Sequence, residues 1–325
     1  MIKLERRAIG VMGTMNVIHV PQHPRPLPHL DHTIRIHGLQ HSPPKCFNGP
    51  HIITVKAPNM IPGNLCTAAC QVLTTADPAA KAAASVNMAR AWKSGEIREI
   101  GYCQPPSYPA RPDRPDLRRP GDMPRRRGSG RKGRIALLHA IAHIELNAID
   151  LAWDLIARFS DHGLPRVFYD DWVSVAADEG RHFMLLTARM AELNASYGDL
   201  SAHDGLWQAA ENTAHDFDAR LAVVPMLLEA RGLDVTPRMV KKLKKAGDEA
   251  SAAILQLILN EEISHVAKGC RWFEWSCSRY DREPVKYWQN LVDTYFTGAL
   301  KPPFNEAARQ QAGMASEYYW TVNQC

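Results

Sequence analysis

At 325 residues, with 45% hydrophobic side chains, the chain can hold one large domain or two small ones around a real core. No apolar run of membrane-spanning length and no signal-peptide pattern is evident, so the sequence is read as cytoplasmic, without a membrane anchor. The formal net charge of +5 is uneven, because residues 1–60 and 105–134 hold the surplus of Lys and Arg and leave the remainder acidic.

Residues 1–60 are rich in Pro and His and carry few periodic apolar positions. They are expected to be a disordered extension, with a His-rich metal tail as the alternative. A folded domain is expected over 61–325. Within 61–103 the sequence predicts two outer helices. One runs from Leu65 to Thr74; the other starts at the Asp77-Pro78 cap and stops at Gly95. Residues 104–133 combine prolines with arginines and should form an extended strap on the acidic surface. An RNA-binding use of residues 111–134 is the second choice, since no aromatic residues are interleaved for base stacking.

Residues 134–280 are expected to be a four-helix bundle. Its helices are placed at 134–159, 167–194, Leu206–Arg231 and Asp248–Arg279. The crossover runs from Asn194 to Gly205. The third helix should end at Gly232 and kink at Pro225, with Thr236-Pro237 starting a short separate helix. Residues 281–325 suggest further helices around Pro302-Pro303. A second polar stripe on the first bundle helix, His139, His143, Asp150 and Asp154, is assigned to the strap or to solvent. Seven scattered cysteines, Cys46, Cys66, Cys70, Cys103, Cys270, Cys277 and Cys325, include no Cys-x-x-Cys pair and are read as reduced thiols.

The chemistry lies in the order Glu145, Glu179-x-x-His182, Glu229, Glu262-x-x-His265. A Glu and a His three positions apart share a helix face, about 60° apart and about 4.5 Å along the axis. Each such pair can give an oxygen and a nitrogen to one metal. Two pairs and two lone glutamates make the inward ligand set of a carboxylate-bridged dinuclear site in a helical bundle. Each glutamate sits in an apolar stripe, such as Leu138, Ile141, Ala142, Ala148 and Ile149 around Glu145. A lone carboxylate buried there costs several kcal/mol, so four of them call for cations. His215 and Asp218 share the Glu229 stripe but lie too far along the axis to join.

These residues resemble the ferritin-like superfamily. The run Asp178-Glu179-Gly180-Arg181-His182 looks like the Asp-Glu-x-Arg-His motif of bacterial multicomponent monooxygenases. That resemblance implies that Asp178 supports a ligand histidine from behind. In the second motif Glu261 stands in the place of the Asp, and Ser264 in the place of the Arg. The strings around His139–Glu145, Glu229–Pro237 and Pro303–Gly313 resemble the ferritin-like domain of unknown function 455, which is distantly similar to a di-iron hydroxylase acting on modified tRNA. The fold class expected is therefore all-α, a ferritin-like bundle with added terminal helices.

The expected cofactor is a pair of irons, with manganese or a mixed pair as alternatives, held by Glu145, Glu179, His182, Glu229, Glu262 and His265. The expected activity is O₂ activation on an unknown substrate. An external reductase would serve it, because the chain has no Cys-x-x-Cys pair and no Gly-rich dinucleotide loop. A ferroxidase or a metal-stabilised scaffold are the other readings.

Overall fold

A computed structural model describes residues 61–119, 122–123 and 130–320. The Pro/His-rich start and part of the Arg-rich strap lie outside the described residues. Helices dominate. Helix α1 (Leu65–Leu73) begins at Asn64, whose side chain accepts from Thr67 N at 2.8 Å. Helix α2 (Pro78–Ser94) begins at Asp77, which accepts from Ala80 N at 2.7 Å, and ends at Gly95 with φ 80°. That positive φ is why a glycine stops this helix. Strand β1 (Leu117–Arg118) follows, then the long helices α3 (Arg131–Arg158) and α4 (Arg166–Glu192). Strand β2 (Ala202–His203) lies in the crossover and pairs in parallel with β1, Leu117 opposite Ala202. This short pairing of strap with crossover has no periodic signal in the sequence.

Next come α5 (Gly205–Asn212), α6 (Phe217–Val223), a π-helical segment (Val224–Glu229), α7 (Ala230–Lys245) and α8 (Glu249–Arg279). Helices α9 (Pro284–Tyr295), α10 (Glu306–Gln311) and α11 (Ser316–Trp320) complete the described chain. Helix α3 packs on α4, α4 on α8 and α8 on α7; α1 lies on α3 and α2 on α4. The shared core holds Trp153, Phe168, Trp172, Phe183 and Phe273, each nearly inaccessible to solvent. Truncating one such aromatic costs about 3–5 kcal/mol.

The third bundle helix differs from its sequence reading. It is broken before Asp216, widened to π geometry at Val224–Glu229, and then runs on through Gly232 and Pro237 to Lys245. Pro225 explains the first change, since it cannot donate to the ladder and the chain absorbs the mismatch by widening a turn. The Ala222 carbonyl, in the turn before, accepts from the Trp288 indole at 3.2 Å. Pro237 is not a helix start, because a distant partner repairs the ladder: Asn305 Nδ2 donates to the Leu233 carbonyl, four residues back, at 3.0 Å.

The reading of the cysteines as uniformly reduced is also corrected. Cys70 and Cys103 form a disulfide, while Cys66, Cys270 and Cys277 are free and buried. The cause is local. Leu65 N and Cys66 N donate to Glu99 O and Ile100 O, both at 2.9 Å, so the segment after α2 runs beside α1 and delivers Cys103 to Cys70. The expectation that no stretch reaches membrane length is corrected as well. By length and composition α3 passes that test, but 67% of its most apolar window is buried within the fold. It is a core helix whose polar residues are partnered inside the protein.

Those partners explain the second polar stripe. Asp150 is fully buried and pairs with Lys81 at 2.5 Å and with Arg111 of the strap. Asp154, also buried, pairs with Arg158 at 2.7 Å and with Arg220. Charges this deep persist only when paired. The two histidines meet the crossover instead. His139 Nε2 accepts from Gly198 N at 3.0 Å, and His143 lies 2.8 Å from the Tyr197 hydroxyl and 3.1 Å from the His203 carbonyl. Burial pushes His143 down to about 4, so its ring is neutral.

Candidate metal centre

Three of the long elements each bring one face to a single point. Helix α3 contributes Glu145, α4 contributes Glu179 and His182, and α8 contributes Glu262 and His265. Glu145, Glu179, His182 and Glu262 each offer a ligand atom, and these atoms all lie within 4.8 Å of one another. His182 Nδ1 is 3.1 Å from Glu145 Oε2 and 3.4 Å from Glu179 Oε2. His265 Nδ1 is 3.0 Å from Glu179 Oε1 and 3.5 Å from Glu262 Oε2. Glu179 thus stands between the two rings. Glu229 closes the π-helical segment, within electrostatic reach of Glu262 and Glu179. A π turn shifts the register of the residues after it, and Glu229 is the last residue of this one. Four of the six sequence candidates meet in one cluster, His265 joins it through Glu179 and Glu262, and Glu229 lies within electrostatic reach, while His215 pairs with Tyr295 and Asp218 with Arg282.

The outer nitrogens show a crossed arrangement. His182, on α4, has Nε2 at 2.6 Å from Glu261 of α8. His265, on α8, has Nε2 at 3.3 Å from Asp178 of α4. Each helix therefore supports the other helix's ring. Arg181 joins the two supports, with Nη1 at 3.1 Å from Glu261 Oε2 and Nη2 at 2.5 Å from Asp178 Oδ1. Glu261 does the work expected of an Asp. Arg181 serves both motifs, so Ser264 leaves no gap. That shared role could not be read from sequence, because it requires α4 and α8 to be antiparallel neighbours.

The electrostatics are those of a site built for positive charge. Burial, and then Glu179, push Glu145 well above the usual carboxylate range. Burial, and then Glu262 and Glu179, do the same to Glu229. Burial also favours a neutral His182, but Glu145 and Glu179 outweigh it and raise the ring to about 11. Against its burial, Glu179 is held below the usual range by His265 and His182. Groups held in their protonated forms here would have to release protons to a metal, so protons and metal compete. Several buried atoms still lack a hydrogen-bond partner: both oxygens of Glu179, one oxygen each of Glu229 and Glu262, and His265 Nδ1. Among the described residues no Lys or Arg forms an ion pair with Glu145, Glu179, Glu229 or Glu262. Buried carboxylates without a Lys or Arg partner, facing inward imidazole nitrogens whose outer nitrogens are tied back, fit a metal ion.

The backbone around the cluster is tight. A Cβ at Gly180 would lie 2.9 Å from the Ala82 carbonyl of α2, and one at Gly269 would lie 2.6 Å from Pro225 Cβ. The first glycine seats α2 on the motif helix. The second seats α8 on the π-helical segment.

The model of one protein family, described as a protein of unknown function (DUF455), matches residues 74–320. The chain belongs to the DUF455 family. The match includes every residue of the cluster. An uncharacterized protein of Haemophilus influenzae is 41% identical over 207 residues, which is 62% of this chain and 72% of that protein. No solved structure matches the chain.

Proposed function

We propose that this DUF455 protein is a dinuclear metalloprotein of ferritin-like architecture, an oxidoreductase that uses iron and O₂ on an organic substrate. The observation that carries this reading is the crossed support of two buried histidines whose inner nitrogens face buried carboxylates that no Lys or Arg pairs with. Glu145 and Glu229 are the lone carboxylates. Glu179 with His182, and Glu262 with His265, would be the paired ligands, and Glu179, which stands between the two rings, would be a carboxylate shared by both metals.

A carboxylate-rich shell with two neutral imidazoles suits iron that must pass from ferrous to ferric, and two adjacent ferrous ions supply the electron pair that O₂ reduction needs. The chain's own residues have three tasks. Four carboxylates neutralise the charge of two cations. Glu261 and Asp178 hold both rings with their inner nitrogens free of protons when metal is bound. The apolar residues of α3, α4 and α8 keep bulk water from the cluster, which strengthens each of these interactions.

Anaerobic loading with ferrous iron followed by elemental analysis tests the reading. About two ions per chain are expected from six convergent ligands. A stoichiometry near zero, or near one at saturation, removes the dinuclear claim. Oxygen uptake by the loaded protein with an added reductant and no mineral deposit is expected. Ferric mineral accumulating on ferrous iron alone would identify an iron-oxidising protein instead, and metal-dependent stability without oxygen uptake would identify a scaffold.

A further inference from the structure

At the end of the molecule where α3 starts, α4 ends, α7 ends and α8 starts, Asp248 joins α3, α4 and α8, beside the contacts of Arg131 with the Leu193 carbonyl and of Arg189 with Ser251. Asp248 caps α8, accepting from Ser251 N at 3.1 Å. It also takes Arg134 of α3 at 3.0 Å and Arg189 of α4 at 2.8 Å. Arg189 in turn pairs with Glu192. The carboxylates of Asp248 and Glu192 are thus already engaged, which leaves Glu249 as the exposed acid next to this hub.

Around the hub stand seven exposed cations. Arg131 and Lys132 open α3, and Arg238, Lys241, Lys242, Lys244 and Lys245 line the last turns of α7. Among the described residues none of the seven forms an ion pair. Arg238, Lys241, Lys242 and Lys245 fall on one helix face at spacings of three, four and seven, a row about 10 Å long. A row of that length matches the reach of neighbouring phosphates on one strand. The first turn of α3, joined to the same hub through Arg134, supplies a second row. This surplus sits on an otherwise acidic fold and is not balanced locally.

We propose that this basic end docks the phosphate backbone of a nucleic acid, independently of the metal cluster. The unpaired row of cations selects a polyanion by charge complementarity, and two further observations narrow the contact. The exposed aromatic residues Tyr102, Tyr108 and Tyr280 lie on other segments, so the contact is to phosphates and carries no base readout. Leu257 is the one exposed large apolar side chain beside Lys244, and none is exposed on α7, so the surface lacks the broad apolar face that seats a helix in an anionic membrane.

The test uses the full chain, with fluorescence anisotropy on a labelled mixed-sequence RNA strand about 20 nucleotides long. Binding is expected to weaken steeply with salt. The combined Lys241→Gln, Lys242→Gln, Lys244→Gln and Lys245→Gln variant should bind at least about ten-fold more weakly at low salt, with the salt slope reduced by about 3. Circular dichroism and iron content should be unchanged, since all four side chains are exposed. The Lys93→Gln/Lys286→Gln variant, which removes exposed charge elsewhere, should bind like the parent. The proposal is overturned if the parent does not bind the strand, or if the quadruple variant binds as the parent does. It is equally overturned if vesicles of equal parts phosphatidylglycerol and phosphatidylcholine capture the protein while RNA does not.

Discussion

Glu261 Oε2 lies 2.6 Å from His182 Nε2, so a residue of α8 fixes the orientation of a ring carried by α4. The reciprocal contact, Asp178 to His265, is longer at 3.3 Å. A carboxylate behind a ligand imidazole sets its tautomer and raises its basicity. Glu261→Ala should therefore weaken iron binding by about 10–100-fold with the fold retained. Glu261→Gln, whose amide oxygen still accepts, should lose less. Anaerobic competition titration against a chelator measures both. Equal affinity in Glu261→Ala and the parent would show that the contact is incidental.

The histidines divide into two groups. His182→Ala and His265→Ala are expected to lower the iron content below two per chain, because each ring faces the buried carboxylates. His139→Ala should leave the iron content unchanged, since its ring serves Gly198 of the crossover. Its cost should appear in stability, about 1 kcal/mol for the lost hydrogen bond. Elemental analysis and thermal unfolding separate the two effects. Loss of iron in all three variants would mean that the cluster face is wrongly chosen.

Gly269 permits α8 to approach the π-helical segment. Gly269→Val would force heavy atoms into Pro225, whose Cβ is 2.6 Å from the position of a single added Cβ. A destabilisation of about 1–3 kcal/mol is expected from overpacking. Because the displaced segment ends at Glu229, iron affinity should fall too. A stable variant with normal iron binding would show that the segment does not position Glu229.

Asn305 repairs the break that Pro237 makes in α7. Asn305→Ala leaves the Leu233 carbonyl without this donor and removes the Asn305 cap of α10, which accepts from Ala308 N at 3.4 Å. Denaturant unfolding should show a loss of about 1–3 kcal/mol. A Pro237→Ala change made alongside should recover part of it, since the helix then satisfies its own carbonyl. No recovery would indicate that Asn305 acts through α10 alone.

Much of this was legible in the chain because the signals are local. Asp77-Pro78 and Gly95 mark the ends of α2 by rules that involve only neighbouring residues. The convergence of Glu145, Glu179, His182 and Glu262 was readable because helical periodicity converts spacing into shared faces, and because carboxylates in apolar stripes demand compensation. What escaped depends on partners far away in sequence. Pro237 looks like a helix start until Asn305 is folded beside it. Cys70 and Cys103 look unrelated until α1 and the segment after α2 align. Arg181 seems to belong to one motif until α4 and α8 pack antiparallel. The polar stripe on α3 does meet the strap, at Arg111, but its burial under Lys81 and Arg220 could not be read.

Gly180 sits inside the ligand motif yet touches no part of the cluster; it faces the backbone of α2. A saturation library across residues 178–182 should therefore return two kinds of dead variant that look alike in an activity screen. Those at Glu179 and His182 would remain folded and could be sorted from the rest by expression level. Those at position 180 would pry loose α2 and with it Lys81, the buried counter-charge of Asp150, and would vanish as insoluble protein. Five adjacent residues thus carry two separate constraints, one on chemistry and one on assembly.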